Sequence, residues 1–252
     1  NWIILSEIEQ SIKKKIEQVG TPLKDWDIKI NRGILTGLNE AFIISKEKKD
    51  ELIKADPKSA EIIRPILRGR DIKKNKVDFK EIYIINVHNG YTNTEGEYVP
   101  PIDINNYPSI KEWLEFGDWN KKKGDISNFN RLKKRTDQGI TPYNLRSLSY
   151  MDEFYKQKIV FSRISSSEPC FSLVNDNVFV NDTAYIITGN QIDILFNYLI
   201  SDEIWFILKR FYLGGGIDTE VKVNNLLKLP VPKESNNLFL SEEEIDYIKL
   251  NI

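Results

Sequence analysis

The sequence predicts an α+β fold, a mixed or antiparallel sheet with flanking helices. Short β-rich runs recur at 26–30, 81–87 and 158–188, whereas helical periodicity marks the beginning, the middle and the segment after residue 190. These segments follow one another irregularly, with neither an internal repeat nor the strand–helix–strand alternation of a parallel sheet. At 252 residues and 40% hydrophobic content, the chain is long and apolar enough for a sizeable core in one large domain or two small ones.

In chain order, residues 3–19 place Ile4, Ile8, Ile12, Ile16 and Val19 at helical spacing around Lys13, Lys14 and Lys15, and "GTP" stops the helix. "WDIKI" (26–30) alternates as a strand does, and "AFIIS" (41–45) is a second apolar run. The "RGILTGLNEAF" between them, with Gly33 and Gly37, reads as a tight turn joining two strands. Asp56 as N-cap and Pro57 at the first helical position predict a short helix to about Arg64. "EIYIINV" (81–87) is a buried strand and "NYPSIKEWLEFG" (106–117) a short helix. "KIVFSRIS" (158–165), "CFSLV" (170–174) and "VFVNDTAYIIT" (178–188) are closely spaced strands, which suggests antiparallel pairing, and Asn181, Asp182 and Thr183 are suited to closing a turn. The apolar region 191–212 is interrupted by Asp193, Asp202, Glu203, Lys209 and Arg210, so it is a core helix or helix pair and not a bilayer span. Pro230 and Pro232 mark an extended exit.

A catalytic centre is not evident. Cys170 alone cannot form an internal disulfide, and a lone His88 provides no zinc cluster, which fits an intracellular, metal-independent domain. His88 ends a strand beside Asn89 and Gly90 with no nucleophile elbow, so it reads as structural. "TPYN" (141–144) places the Asn on the wrong side, and lacks the second Pro, of the Asn-Pro-Pro-aromatic motif that grips a flipped adenine, and reads as a turn. "LGGGID" (213–218) lacks the Lys and hydroxyl of a P-loop and leaves a flexible turn and a phosphate-contacting loop both open. Catalytic residues and metal ligands are therefore expected to be none, and the chain reads as a binding module.

The charge distribution is more informative than its total. Net charge is −1, yet residues 64–80 carry Arg64, Arg68, Arg70, Lys73, Lys74, Lys76 and Lys80 against two acids, and residues 121–135 carry seven cations against Asp125. The compensating acid lies elsewhere, notably in "SEEEID" (241–246). Such a bipolar chain suits a polyanion, provided that folding brings the two runs to one face.

Six ordered blocks, "PLKDWDIKINRGILTGLNEAFII", "DPKSAEIIRPILRGRDIKK", "RTDQGITPYNLR", "KIVFSRIS", "VNDTAYIITG" and "LLKLPVP", together resemble the TaqI-like C-terminal specificity domain. This is the target recognition domain of adenine-specific DNA methyltransferases and of fused type II restriction-modification enzymes. The resemblance implies a target-recognition fold over 25–252, with residues 1–24 as a helix leading in from an upstream methyltransferase domain of the same polypeptide. The absence of an initiating Met agrees with a piece of a longer protein. It further implies double-stranded DNA as partner, a bacterial cytoplasmic setting without a membrane, and no cofactor in this chain. S-adenosylmethionine would belong to the upstream domain, as would magnesium where a nuclease is fused.

With DNA as the implied partner, Arg32, Thr36, Asn39, Arg68, Arg70, Arg135, Gln138, Arg146 and Arg163 become candidates for reading base edges. Lys73, Lys74, Lys121, Lys122, Lys123, Lys133 and Lys134 become candidates for phosphate contact. Gly33, Gly37, Gly69 and Gly139 would let backbone approach the groove, while Arg68 and Arg70 pairing with Asp71 or Glu61, and Arg163 covering a sheet edge, are the structural alternatives. Other functions remain open: a specificity subunit of a multisubunit restriction system, against which the lack of a repeat counts, a stand-alone carboxylate and magnesium nuclease, or an interaction scaffold.

Overall fold

A computed structural model describes residues 4–121, 126–164, 168–175, 177–213, 220–234 and 238–252. The first half forms α1 (Glu7–Val19), β1 (Thr21–Pro22), β2 (Ile28–Arg32), α2 (Asn39–Phe42), β3 (Ile43–Ser45), α3 (Lys46–Ala55), β4 (Ile63–Leu67), β5 (Ile72–Lys73), β6 (Lys76–Val77), β7 (Ile82–Ile85), β8 (Tyr91–Thr92), β9 (Tyr98–Val99), α4 (Pro108–Phe116) and α5 (Asn128–Lys134). The second half forms β10 (Lys158–Ser162), β11 (Phe171–Val174), β12 (Phe179–Val180), β13 (Ala184–Gly189), α6 (Ile192–Leu199), α7 (Asp202–Ile207), α8 (Val223–Leu226), β14 (Pro230–Val231) and α9 (Glu242–Leu250). The expected α+β class holds. No helix among the described residues is long and apolar enough to cross a membrane.

Two four-stranded sheets organise the chain. One runs β11-β10-β13-β2 and is antiparallel throughout; the other runs β12-β4-β7-β3, with β12 and β4 parallel. Every residue of β10 is buried. Its alternate side chains enter different cores: Val160 belongs to the cluster of Ile84, Phe154 and Ile186, while Ile159 and Phe161 belong to the cluster that holds Trp205, Ile187 and the buried residues of α1, α6 and α7. Period-two alternation thus turns one strand into a wall between two hydrophobic clusters.

The sequence expectations hold for the helices at 106–117 and 191–212, the latter as the pair α6 and α7 continued by π-helical turns over Leu208–Tyr212, and for the strands at 81–87, 158–165 and 170–174. Three readings change. "RGILTGLNEAF" is more than a tight turn: it joins strands of different sheets, β2 and β3, and its end, with the first half of "AFIIS", is the helical turn α2. Asp56 does cap, accepting from the Lys58 N–H at 3.2 Å, but its turn is a 3₁₀ helix over Pro57–Glu61, and "IIRPIL" continues as β4. "VFVNDTAYIIT" divides into β12 and β13, one in each sheet.

Helix α1 is built into this chain's own core. Ser6 and Glu9 close a capping box, and Ile12 and Ile16 are fully buried. The buried Glu9 carboxylate accepts from Arg210 Nε at 2.6 Å, and the buried Glu244 of α9 accepts from Ser11 Oγ at 2.6 Å and Lys15 Nζ at 2.7 Å. Helix α1 is thereby joined to α9 and to the extension of α7. Ile12→Ala should lower unfolding stability by about 2–4 kcal/mol in urea titration. A loss below about 0.5 kcal/mol would mean that α1 is only loosely attached.

Candidate nucleic-acid interface

Three segments meet at one place: residues 33–38 after β2 and residues 181–183 between β12 and β13, which cross between the sheets, and residues 68–71 after β4, which lead into the β5-β6 hairpin. Backbone bonds stitch them together, from Gly33 N to Ala184 O at 2.9 Å, Ile34 N to Val180 O at 2.8 Å and Asn181 N to Leu67 O at 2.9 Å. The packing leaves no room for side chains at two of the glycines. A methyl group at Gly33 would lie 2.0 Å from the Asn181 oxygen, and one at Gly69 would lie 2.4 Å from the Thr183 oxygen. These glycines serve approach within the chain, which corrects the expectation that they open its backbone to a duplex. Asn181, Asp182 and Thr183 do close a turn: Asn181 Oδ1 accepts from the Thr183 N–H at 3.1 Å and its hydroxyl at 2.6 Å.

A groove of about 440 Å³ lies along this seam, lined by Arg68, Arg70, Ile72 and Lys73 together with Ser162, Ile164, Asn181 and Thr183. Arg68 is gripped side-on by the buried Asp71, with Nε and Nη2 donating at 2.8 and 2.9 Å and the Arg68 N–H adding a third bond at 2.9 Å. Burial alone would raise the Asp71 pKa, but the guanidinium and backbone N–H of Arg68 hold it below the usual range. The grip orients Arg68 and leaves Nη1 with no partner among the described residues. Arg70 and Lys73 are exposed, with no ion pair among the described residues. Arg32 pairs with Asp182 at 3.5 Å, and Arg163 with Glu220 at 3.2 Å. Of the other cations of this run, Lys74 is directed away to Asp202 at 2.5 Å, at the start of α7.

A second cluster adjoins the first. Gly37, in the left-handed region at φ 66°, carries the 33–38 segment onto Asp137 and Arg135. Arg135 is 5% exposed, which removes it from the base-reading candidates. Its Nη1 donates to the carbonyls of Thr36 and Asp137, both at 2.7 Å, and its Nη2 to those of Pro142, at 3.2 Å, and Asn144. The guanidinium also lies 4.6 Å from the Phe42 ring. Burial pushes its pKa down to about 10, opposed by Asp137, so it stays charged at neutral pH. Arg135 is thus the internal tie of the loop that follows it. Thr36 is also withdrawn, since it is 2% exposed, with its hydroxyl donating to Asn39 Oδ1 at 2.6 Å and accepting from the Leu38 N–H at 3.1 Å.

The outward members of this cluster are Gln138 and Arg146. Gln138 is exposed and donates to the Lys133 carbonyl at 3.2 Å, and Arg146 meets Asp137 at 3.2 Å. Burial raises the pKa of the Tyr150 hydroxyl, and the charges of Arg146 and Arg32 oppose that rise. Asn39 is exposed at the start of α2. Lys133 and Lys134 are exposed in the last turn of α5, with Lys133 4.6 Å over the Phe129 ring. Lys121 instead borders a separate pocket of about 470 Å³ beside Trp113 and Trp119. Lys122, Lys123 and the glycines of "LGGGID" lie outside the described residues. The 33–38 segment links the two clusters, with Gly33 packed on Asn181 and Gly37 on Asp137, whereas Lys74 and Lys121 do not join them. Sequence reasoning named Asp71 as an alternative partner of Arg68 but missed Asp182, Asp137 and Glu220 as the partners of Arg32, Arg146 and Arg163. Of these pairs, only Arg68 and Asp71 were signalled by their i,i+3 spacing.

His88 is structural, as expected. It is buried, its Nδ1 accepts from the Gly90 N–H at 3.2 Å, and burial pushes its pKa down from 6.5 to about 4.

Residues 64–231, about two thirds of the chain, match the family described as TaqI-like C-terminal specificity domain. Among solved structures, the type IIG restriction endonuclease BpuSI is similar over 97% of this chain and 28% of its own, with TM-score 0.52 and 14% identity. The type IIL restriction-modification enzyme MmeI, solved in complex with DNA, is similar over 74% of this chain and 22% of its own, with TM-score 0.42 and 14% identity. The chain thus spans less than a third of the length of either protein, and the likeness to BpuSI is one of fold. No curated protein matches.

Arg135→Lys should destabilise by about 3 kcal/mol in chemical denaturation, because one ammonium cannot reach the carbonyls that the planar fork joins. Stability should also fall with acid as the unfolded chain protonates His88 and the native one does not. Across pH 6.5 to 4 that slope approaches about 1.4 kcal/mol per unit. The buried carboxylates Glu9, Asp71, Glu153 and Glu244, all held low, add their loss only around and below their ordinary values of 4.5 and 3.8. Melting curves should therefore show the drop between pH 6.5 and 5 in the natural chain, and His88→Gln, which removes the sole histidine, should flatten it.

Proposed function

The chain belongs to the TaqI-like C-terminal specificity domain family, and from that premise we propose that it reads the sequence of double-stranded DNA for a restriction-modification enzyme. The observation that carries the reading is the groove bordered by Arg68 and Arg70, with Arg32 paired to Asp182 at the same seam and Gln138 and Arg146 beside the Asp137 on which Gly37 packs, three of the arginines being oriented by acids. An oriented guanidinium presents a planar fork to guanine O6 and N7, while Gln and Asn suit adenine. Exposed pairs such as Arg32–Asp182 hold geometry at little energetic cost and can be exchanged for contacts with DNA. Lys73, Lys133 and Lys134 supply point charges for phosphates.

In the full protein this domain would position an adenine for an S-adenosylmethionine-dependent methyltransferase domain of the same polypeptide. A nuclease using magnesium would make the assembly a type II restriction enzyme. The BpuSI likeness, which covers only part of a larger type IIG restriction endonuclease, supports such an arrangement. The setting would be the bacterial cytoplasm, where such systems meet their DNA.

Selection of bound duplexes from a random pool should enrich a defined sequence, and affinity should fall steeply with salt as condensed ions are released. Arg70→Ala should cost about 1–3 kcal/mol and relax preference at one base pair, whereas Lys73→Ala should weaken all duplexes alike. Arg32→Ala should alter the preferred sequence while leaving the melting temperature nearly unchanged. No enrichment, together with salt-independent binding, would overturn the reading.

A further inference from the structure

We propose that residues 138–145 form a pre-organised reading tip and that Ile140 at its end packs on the 5-methyl group of a thymine in the major groove. The inference rests on the DNA-reading function above and adds a specificity residue that carries no charge.

A single exposed apolar side chain is ordinarily unremarked. Ile140 differs in how firmly its backbone is held while its side chain remains 71% exposed. Its N–H donates to Asn89 Oδ1 at 2.7 Å, and the neighbouring Gly139 N–H donates to Asn144 O at 2.8 Å. Gln138 and Leu145 pair as an antiparallel bridge that closes the tip. A methyl group at Gly139 would lie 2.3 Å from Asn89 Oδ1, so the tip is packed against its support. Beneath it the buried Asn144 amide donates to the carbonyls of His88, at 3.2 Å, and Ile102, at 2.9 Å, and Arg135 holds Asp137, Pro142 and Asn144. Buried polar groups thus fix the backbone, and only the outer side chains remain free to meet a partner.

Those outer side chains define the partner. Gln138 and Arg146 flank the tip and are exposed. Both can bond to base edges, but neither can sense a methyl group. Thymine is the base that presents one in the major groove, and an aliphatic side chain is its complement. A tip already ordered in the free protein avoids the entropic penalty of ordering on contact.

The test uses the full chain and the duplex that it enriches from a random pool. Each thymine in turn is replaced by deoxyuridine, which removes only the methyl group. At one position the natural chain should bind roughly fourfold more weakly, the effect of about one buried methyl group. Ile140→Ala should bind the thymine and uracil duplexes alike, with its melting temperature and salt dependence kept. The uracil comparison on the natural chain is independent of whether the variant folds. An unchanged thymine-to-uracil ratio in Ile140→Ala overturns the proposal, as does a loss that ignores the methyl, which would indicate a wedge between bases. Full DNA affinity and discrimination without Ile140 would also overturn it and reassign the tip to a protein contact. In each of these cases the natural chain still selects DNA, so the reading above survives. If the natural chain selects none, both fall.

Discussion

The pairing of β10 with β13 is the constraint on which the rest of the molecule depends. Partners across this ladder share a destination: Ile159 and Ile187 face the helical core, Val160 and Ile186 face the other, and Phe161 and Tyr185 stack at 5.3 Å on the helical side. A slip of one residue would send every side chain of the strand into the wrong cluster. Because the wall is buried on both faces, the chain can only pass between the sheets at its margin. That margin is where residues 33–38 and 181–183 cross, and where residues 68–71 lead β4 into the β5-β6 hairpin packed on β10 and β11. The candidate interface is therefore a product of the two-core architecture: the same close approaches that hold the sheets together place Arg32, Arg68 and Arg70 near one another.

Electrostatics follows from this placement. A chain with net charge −1 has little general attraction for a polyanion, and its acids are placed as supports. Asp71, Asp182 and Asp137 each hold an arginine at the face. Such an arrangement trades attraction for orientation, a balance suited to discrimination between sequences, since cations without fixed geometry contact phosphates regardless of sequence. Arg135 marks the other extreme, a cation drawn wholly inside, where its charge is satisfied by carbonyl dipoles and its role is to shape the loop carrying Gln138, Ile140 and Arg146.

Much of the local structure was legible in the sequence because its causes are local. Ser6 with Glu9 caps α1, Asp56 with Pro57 opens a turn, and β-rich runs at 82–85, 158–162 and 171–174 form strands. The resemblance carried by six short blocks likewise held, with residues 64–231 matching the same family. What sequence could not decide was partnership. "IIRPIL" follows a helix-start signal and yet pairs with β7 and β12, and "VFVNDTAYIIT" is one β-rich run divided between two sheets. For the candidate site, composition identified basic segments, but burial decided that Arg135 and Thr36 are internal and that Lys74 faces α7. Capping and alternation depend on neighbours in the chain and are written in it directly. That Arg32 finds Asp182, and that Gly33 must admit the backbone of Asn181, depends on segments more than a hundred residues apart, and only the tertiary structure settles it.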